Sequence, residues 1–451
     1  MKTYTGSGSK KILFALITSF VFAFGIHAVN KLVGAQTETP PPCLKTSGDA
    51  NCDGVVDILD LNIWAIEYPG VGLTSDFNSD SKVNAFDFFI WNYILPTPTP
   101  TAVITPTPTP TSSALWISQS EIMNLPTTGE AWDRMNTAAY GVWETPDLKD
   151  QNNKFGIKVL AGALVYARTG DESLRAKTRD GIIASKQTLD QQSEYEASFT
   201  ALSITRQVGT LPIAADIIDL KNFDTQADNE LRTWLTTIRT QDVGTHTRWK
   251  NLTHICEDST ANWGAFACPS RIAASLYLGD TADVDRAANI IRALMGEREY
   301  YPEGISETGY FPDNAPYRDS WACDPELWTG INPPCVKQDV NIDGVLVMDA
   351  VRGGECCILQ GNGIMYSWEA LQGIFVSTEL LMRTGWYGNP YEWSNQALKR
   401  SMDLMQRQGW GISSVAHYVP WMANKRFGTS YPVAPSSTGR IMSWGDWMYQ
   451  Q

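Results

Sequence analysis

The stretch LVYARTGDESL, residues 164–174, predicts the end of one helix and the start of the next. Apolar residues at three- and four-residue spacing lead to Gly170, which favours a left-handed helix end, and Asp171 is a suitable cap for the following helix. The same order recurs at Gly279–Asp280 and, with a longer connection, at Gly385. Repeated helical hairpins over residues 114–451 predict an all-α domain, an α/α toroid built as an incomplete or six-hairpin barrel with alanine-rich inner helices.

Helical periodicity covers most of this domain. The predicted helices are 154–168, 174–189, 197–208, 228–238, 261–278, 283–294, 366–382 and 392–406. The stretch 297–366 breaks the pattern, because it is rich in Cys, Gly, Pro and aromatic residues. Long loops in compact domains are usually functional, so this stretch is the expected neighbourhood of the site.

Three further segments precede the domain. Lys2, Lys10 and Lys11 stand before an apolar run at 12–29, and Val33-Gly34-Ala35 forms a cleavage motif, so residues 1–35 predict a secretory signal peptide or an N-terminal anchor. Residues 96–113, PTPTPTAVITPTPTPTSS, predict an extended linker after a small module at 42–95. The chain is therefore expected to be secreted or at the cell surface. Its net charge of −14 makes nucleic acid an unlikely partner.

Eight cysteines in an exported chain favour disulfides over free thiols. Cys256 and Cys268 can close a short loop, and Cys43 with Cys52 can form another bridge. Three pairings are open to the remaining four, Cys323, Cys335, Cys356 and Cys357, and we favour Cys323 with Cys335.

The small module carries one loop pattern twice, at an offset of 27 residues along the sequence. Side-chain oxygens at loop positions 1, 3, 5, 9 and 12, with a backbone carbonyl at position 7, supply the ligands that Ca²⁺ prefers. The sequence therefore predicts two calcium sites. The predicted ligands are Asp49, Asn51, Asp53, Val55 (carbonyl), Asp57 and Asp60 in the first loop, and Asp76, Asn78, Asp80, Lys82 (carbonyl), Asn84 and Asp87 in the second.

This duplicated loop–helix unit resembles a type I dockerin over the whole small module. The resemblance implies two bound Ca²⁺ ions and a cohesin domain of a scaffold protein as partner. Ser81 stands where the pattern usually has Gly at position 6 of the second loop. A related run begins at Asp339, and it predicts either a third calcium loop or an Asx-type turn.

A toroid joined to such a module indicates carbohydrate chemistry. Elimination on a uronic acid needs a group that neutralises the C5 carboxylate, a base for the C5 proton and an acid for the leaving oxygen. Arg352 and Tyr366 flank the point where the loop rejoins a helix, Asn262 opens the helix predicted at 261–278, and His254 lies just upstream. These four are the candidate catalytic residues.

The same residues carry a second resemblance. Asn262-Trp263-Gly264-Ala265, Arg352-Gly353-Gly354 and the run 366–373, with Trp328 to Pro333 and Asp343-Gly344, look like the alginate-lyase superfamily of α/α-toroid proteins. The resemblance implies a polysaccharide lyase in which Asn262 holds the carboxylate, Arg352 neutralises it and Tyr366 is base and acid. In this chain no His adjoins Asn262, so His254 is the candidate in that role.

Other interpretations remain open. Tyr366 can be a half-buried helix residue, Arg352 an ion-pair partner, Asn262 a helix cap and His254 a structural residue. A glycoside hydrolase needs two carboxylates, and the candidates are Asp319, Asp324, Glu326, Glu355 and Glu369. A non-catalytic glycan-binding module would instead use exposed indoles, for which the candidates are Trp263, Trp321, Trp328 and Trp368.

Overall fold

The computed structural model describes residues 114–187, 194–243, 250–301, 315–324 and 330–450, together with scattered positions between 50 and 87. The chain divides into two compact units, Met1–Thr109 and Pro110–Gln451. The signal segment, the linker and the Cys43–Cys52 pair lie outside the described residues. Within the described ranges, none of the helices has both the length and the apolar composition that a membrane span requires.

Helices dominate the larger unit. They are α1 Gln119–Met123, α2 Glu130–Tyr140, α3 Phe155–Thr169, α4 Glu172–Ala184, α5 Glu194–Gln207, α6 Thr210–Ile217, α7 Leu220–Phe223, α8 Thr225–Thr240, α9 Leu252–Asp258, α10 Asn262–Leu278, α11 Thr281–Leu294, α12 Ala315–Trp321, α13 Val347–Ala350, α14 Asn362–Thr384, α15 Trp393–Arg407, α16 Tyr418–Phe427 and α17 Gly445–Met448. Strands β1 Val336–Lys337 and β2 Val340–Asn341 form one antiparallel ribbon. The predicted all-α class is confirmed.

The helix ends follow the local signals in the sequence. Gly170 and Gly279 end α3 and α10 in the left-handed conformation, with φ of 75° and 76°. The side chain of Asp171 then accepts a hydrogen bond from the backbone N–H of Ser173, and Asp280 caps α11 through Asp283 in the same way. Each cap satisfies a backbone donor that the first turn of a helix leaves without a partner.

The helices of the larger unit differ in how much of their surface is buried. Most residues of α3, α10 and α14 are buried, whereas α2, α8, α11 and α15 each bury one face. Helix α10 packs against α5, α6, α8, α9, α11 and α14. At its crossing with α14, a Cβ added to Gly373 would lie 1.8 Å from the carbonyl oxygen of Ala265, so the two backbones meet where only glycine fits.

The end of the larger unit packs against its beginning. The indole Nε1 of Trp447 donates to the Pro126 carbonyl at 2.8 Å, and that of Trp444 donates to the Ile157 carbonyl at 2.9 Å. Arg134 of α2 forms an ion pair of 2.8 Å with Asp446 of α17. A closed ring of hairpins requires such a contact between both ends, while the toroid itself stays a prediction.

Disulfides brace the segment that breaks the helical pattern. Cys323 is bonded to Cys335, as favoured from the sequence, and Cys356 is bonded to Cys357. Cys256 of α9 is bonded to Cys268 of α10, with Cα atoms 4.8 Å apart.

The run that begins at Asp339 forms an Asx turn. The backbone N–H of Asp343 donates to Oδ1 of Asn341 at 2.9 Å, and the Asp343 carboxylate pairs with Arg400. These contacts favour the Asx-turn interpretation of this run over a third calcium loop.

Candidate functional site

Three of the four candidate catalytic side chains lie together. Asn262 is the first residue of α10, Arg352 lies in the 3₁₀ turn Val351–Gly353, and Tyr366 lies near the start of α14. Nη1 of Arg352 donates to Oδ1 of Asn262 at 3.4 Å, and the guanidinium carbon of Arg352 is 3.3 Å from the centroid of the Tyr366 ring. The fold thus joins residues that are about a hundred positions apart in the chain.

Asn262 does not act as a helix cap. The capping position belongs to Ala261, whose side chain makes no capping bond, and the backbone N–H of Asn262 donates to Oδ1 of Asp349 at 3.1 Å. Because Asp349 satisfies this donor, the Asn262 side chain is left to contact Arg352 and Glu369. Its Nδ2 lies 3.4 Å from Oε2 of Glu369. The cap interpretation of Asn262 is wrong.

Glu369 is the centre of a buried ionic network in α14. Its Oε2 accepts from Nη2 of Arg206 at 2.6 Å, and its Oε1 accepts from Arg440. The Arg206 side chain is only 4% exposed and the Glu369 side chain 9%. A buried charge is tolerated only when it is paired and hydrogen-bonded. Here the guanidinium groups of Arg206 and Arg440 pair with the Glu369 carboxylate. We call Arg206, Arg352 and Arg440, with Asn262 and Glu369, the arginine cluster.

Burial shifts the pKa of two groups at this cluster. Burial raises the pKa of Asp349 to about 7, although the positive charge of Arg352 and the Asn262 N–H act against the rise. Burial lowers the pKa of Arg206 to about 10 despite the pairing with Glu369, so the guanidinium remains charged at neutral pH. Arg206 and Arg440 thus pair with Glu369, while the positive charge of Arg352 acts on Asp349.

A cavity of about 240 Å³ adjoins the arginine cluster. Its walls include the cationic side chains of Lys154, Arg206 and Arg440, and the amides of Gln151, Asn152 and Asn153. None of the described residues that line it is acidic. In a chain with a net charge of −14, such a lining is a local reversal of charge that favours an anionic ligand.

The structure does not bring His254 into the cluster through any contact between described residues. His254 lies in α9, where its backbone N–H donates to the Asn251 side chain at 2.9 Å. Its Nδ1 is buried and makes no hydrogen bond to the described residues. The position therefore agrees better with the structural interpretation of His254 than with the catalytic one.

The carboxylates considered for hydrolysis have different surroundings. Asp319 pairs with its neighbour Arg318, Glu355 is exposed, and Glu326 lies outside the described residues. Asp324 follows Cys323 in the disulfide-braced segment. Glu369 belongs to the arginine cluster, and arginines bind both of its oxygens.

Two of the four candidate indoles pack inside the protein. Trp321 and Trp368 are each 1% exposed, and their Nε1 groups donate to the backbone carbonyls of Gly354 and Trp410. Trp263 is half-buried, and Trp328 lies outside the described residues. The two buried indoles cannot stack a sugar ring.

The sequence analysis missed Arg206, Asp349 and Arg440. A signal was present for the first two, because Arg206 and Asp349 are the single charged residues of the stretches 197–215 and 344–351, and a buried charge requires a partner of opposite sign. Arg440 lies in an irregular segment after α16, where an arginine is ordinarily a solvated residue, and no local pattern marks it.

In the smaller unit, each of the two predicted calcium loops contains an equivalent hydrogen bond. The backbone N–H of Ala50 donates to Oδ1 of Asp60 at 2.7 Å, and that of Phe77 donates to Oδ1 of Asp87 at 2.9 Å. Both bonds join positions 2 and 12 of their loops. Oδ2 of Asp76 at position 1 also accepts from the backbone N–H of Ser81 at 2.8 Å.

These buried carboxylates suit an oxygen-bound cation. Asp60 and Asp87 have no exposed surface and Asp76 is 7% exposed, and oxygen ligands of this kind are those that Ca²⁺ takes. Ser81 adopts a positive φ of 65°, which confirms why the pattern usually has Gly there. Lys82 is exposed. The predicted ligands Asp49, Asn51, Asp53, Val55, Asp57, Asn78, Asp80 and Asn84 lie outside the described residues.

No protein-family model, curated protein or solved structure matches this chain. The functional argument accordingly rests on the geometry of the two units.

Proposed function

We propose that the larger unit is a polysaccharide lyase that cleaves a uronate-containing polysaccharide by β-elimination. The observation that carries this proposal is the convergence of Asn262, Arg352 and Tyr366 beside the ion pairs of Glu369 with Arg206 and Arg440. These residue types supply the carboxylate-binding groups and the proton carrier that elimination needs.

Arg352 and Asn262 bind the carboxylate of the sugar in this proposal. The 3.4 Å contact between them, and that between Asn262 and Glu369, are at the long limit of hydrogen bonding. A substrate carboxylate can replace such contacts at little cost and gain charge-assisted bonds from the guanidinium and the amide. These donors then stabilise the negative charge that develops on the carboxylate when the C5 proton leaves.

Tyr366 carries the proton. Its oxygen takes the C5 proton while its hydroxyl proton passes to the leaving oxygen. The C5–H electron pair forms the C4–C5 double bond, and the C4–O bond breaks. Tyr366 is half-buried, and the Arg352 guanidinium lies over one face of its ring.

Hydrolysis is the second candidate, and the raised pKa of Asp349 favours it. A carboxyl with a pKa of about 7 is suited to general acid catalysis, and the charge of Glu369 contributes to the rise. Asp349 is, however, only 1% exposed and holds the first turn of α10. Asn262 is equally buried, so exposure does not separate the two reactions. Elimination is the better-supported reaction because the half-buried Arg352 contacts both Asn262 and the half-buried Tyr366.

The proposal for the smaller unit is a calcium-binding dockerin that recruits the enzyme to a cohesin-bearing scaffold outside the cell. The support is the equivalent hydrogen bond in both loops, from Ala50 to Asp60 and from Phe77 to Asp87, at the 27-residue offset of the repeat. Calcium would be held by the loop carboxylates, and its role there is to fix the loops in one conformation.

Elimination can be tested directly, because the unsaturated product absorbs in the ultraviolet. We expect the full chain to raise the absorbance of alginate, pectate or a glycosaminoglycan. Tyr366→Phe should lower kcat by about 10²–10⁴-fold, the usual worth of a positioned acid or base. Tyr140→Phe is the matched control, since Tyr140 is half-exposed on α2 and donates to Asp171.

Other outcomes reject the lyase. New reducing ends without an absorbance rise would indicate the hydrolase. Binding without cleavage would indicate a glycan-binding module. Equal loss of activity in both tyrosine variants would show that Tyr366 has no special role.

A further inference from the structure

The cavity beside the arginine cluster has more positive charge than its protein partners neutralise. Arg206 and Arg440 share the single carboxylate of Glu369, and Lys154 adds a third positive charge at the wall. Nε of Arg206 is buried and has no hydrogen-bond partner among the described residues. A buried donor in that state costs free energy that an acceptor in the cavity would recover.

The segment that supplies Arg440 is held in an unusual backbone conformation. A Cβ at Gly439 would lie 1.8 Å from the carbonyl oxygen of Met442, and Ile441, a β-branched residue, has a positive φ of 65°. The Ile441 N–H donates to the Arg206 carbonyl at 3.1 Å, and Tyr418 donates to that of Arg440 at 3.0 Å. Strained backbone of this kind persists where the surroundings over-determine it, which is common at ligand sites.

The size and position of the cavity limit what it can hold. About 240 Å³ corresponds to roughly eight water molecules at about 30 Å³ each, which is below the range of a drug-sized pocket and sufficient for one sugar unit. Arg206 and Arg440 of the cavity wall bind Glu369, whose Oε2 lies 3.4 Å from Asn262 Nδ2. The cavity is therefore connected to the proposed elimination site through one shared carboxylate.

We infer that this cavity is a second acidic-sugar subsite, which binds the carboxylate of the uronate next to the one that is cleaved. The inference rests on the proposed lyase function and narrows its substrate to glycans with consecutive uronates. Amides from Gln151 and Asn152, already bonded to Arg206 and Arg440, orient the two guanidinium groups toward a shared anion. A glycan that alternates acidic and neutral sugars fills only one of the two carboxylate sites.

Equilibrium binding separates this inference from the catalytic proposal. Calorimetry at low salt with the full chain compares a tetramer in which every sugar is a uronate with a hyaluronan tetrasaccharide, in which uronates alternate. We expect the polyuronate to bind at least tenfold more tightly. Lys154→Gln should weaken its binding by about threefold, and Arg440→Gln by tenfold or more.

Lys149→Gln is the control for charge, because Lys149 is exposed five residues before Lys154 and does not line the cavity. Lys154→Gln also keeps the test valid if Arg440→Gln misfolds. Lys154 is exposed, whereas Arg440 pairs with the buried Glu369. Equal binding of the two glycans, equal effects of both lysine variants, or no binding would overturn the subsite. If inorganic sulfate fully displaced the polyuronate from the subsite, the assignment of the subsite to a sugar carboxylate would be overturned.

The two proposals fail separately. If binding follows the expected pattern but no glycan shows an absorbance rise, the lyase is wrong and the subsite stands as a binding site. If elimination occurs with equal efficiency on both glycan types and Lys154→Gln changes nothing, the subsite is wrong and the lyase stands.

Discussion

Replacing Asp349 by Asn should change how the stability of the larger unit depends on pH. The carboxyl is 1% exposed, and burial raises its pKa from 3.8 to about 7. Asparagine is nearly the same size, stays neutral, and keeps a carbonyl oxygen that can accept the Asn262 N–H, which Asp349 binds at 3.1 Å. The substitution thus imitates the protonated acid at every pH.

The sign of the effect follows from linkage. Because the folded-state pKa lies above the unfolded value, the folded chain holds a proton between about pH 4 and pH 7 that the unfolded chain has released. The contribution of Asp349 to stability is therefore complete below about pH 4 and is lost as the pH rises through 7. One pKa unit corresponds to about 1.4 kcal/mol, so the loss is on the order of 4 kcal/mol for this fully buried group.

Urea unfolding at pH 5 and pH 8 measures this difference, with tryptophan fluorescence as the signal. We expect the free energy of unfolding of Asp349→Asn, minus that of the wild type, to be about 1–3 kcal/mol larger at pH 8 than at pH 5. This is smaller than the full loss because the two pH values span only part of the range from pH 4 to pH 7. Asp180→Asn is the control, because the Asp180 side chain is 68% exposed. A wild-type minus Asp349→Asn difference that stays constant from pH 5 to pH 8 would refute the argument that burial sets the proton affinity of Asp349.

Three further predictions concern packing, disulfides and calcium. Gly373→Ala should lower the free energy of unfolding by about 3 kcal/mol or more in a urea titration, because its Cβ would lie 1.8 Å from a backbone oxygen. Gly156→Ala is the control and should cost less, because its nearest contact is a flexible threonine hydroxyl at 3.1 Å. Joint replacement of Cys256 and Cys268 by Ala should cost about 2–4 kcal/mol, and non-reducing peptide mapping should find these two joined; a free thiol at either would contradict the structure. Calorimetry should find two Ca²⁺ per chain and one after Asp87→Asn, and an unchanged count would remove Asp87 from the ligands.

Local features of the fold could be predicted well from the sequence. Gly170 and Asp171 act on the backbone within a few residues, so the end of α3 and the start of α4 follow from short-range rules. The predicted helix 261–278 begins one residue later, at Asn262. Asn262 is therefore the first helical residue rather than the cap, and its side chain contacts Arg352 and Glu369.

The network around Glu369 could not be predicted in the same way. Arg206 lies 163 residues before Glu369 and Arg440 lies 71 after it, and no periodicity relates residues on three separate segments. Asn262, Arg352 and Tyr366 were found only because their chemical types suit one reaction. Their partners depend on how the helices pack, which a local pattern does not specify.

The position of Arg440 has a consequence for the order in which the molecule matures. Synthesis proceeds from the N-terminus, so Arg206, Asn262, Arg352 and Glu369 all emerge before Arg440. Until then, Glu369 can pair with Arg206 but not with Arg440, and the cavity lacks the wall formed by residues 438–441. A truncated chain that ends before this segment therefore lacks part of the cavity wall, however well its earlier helices fold. The cavity can form only after residues 438–441 have been synthesised.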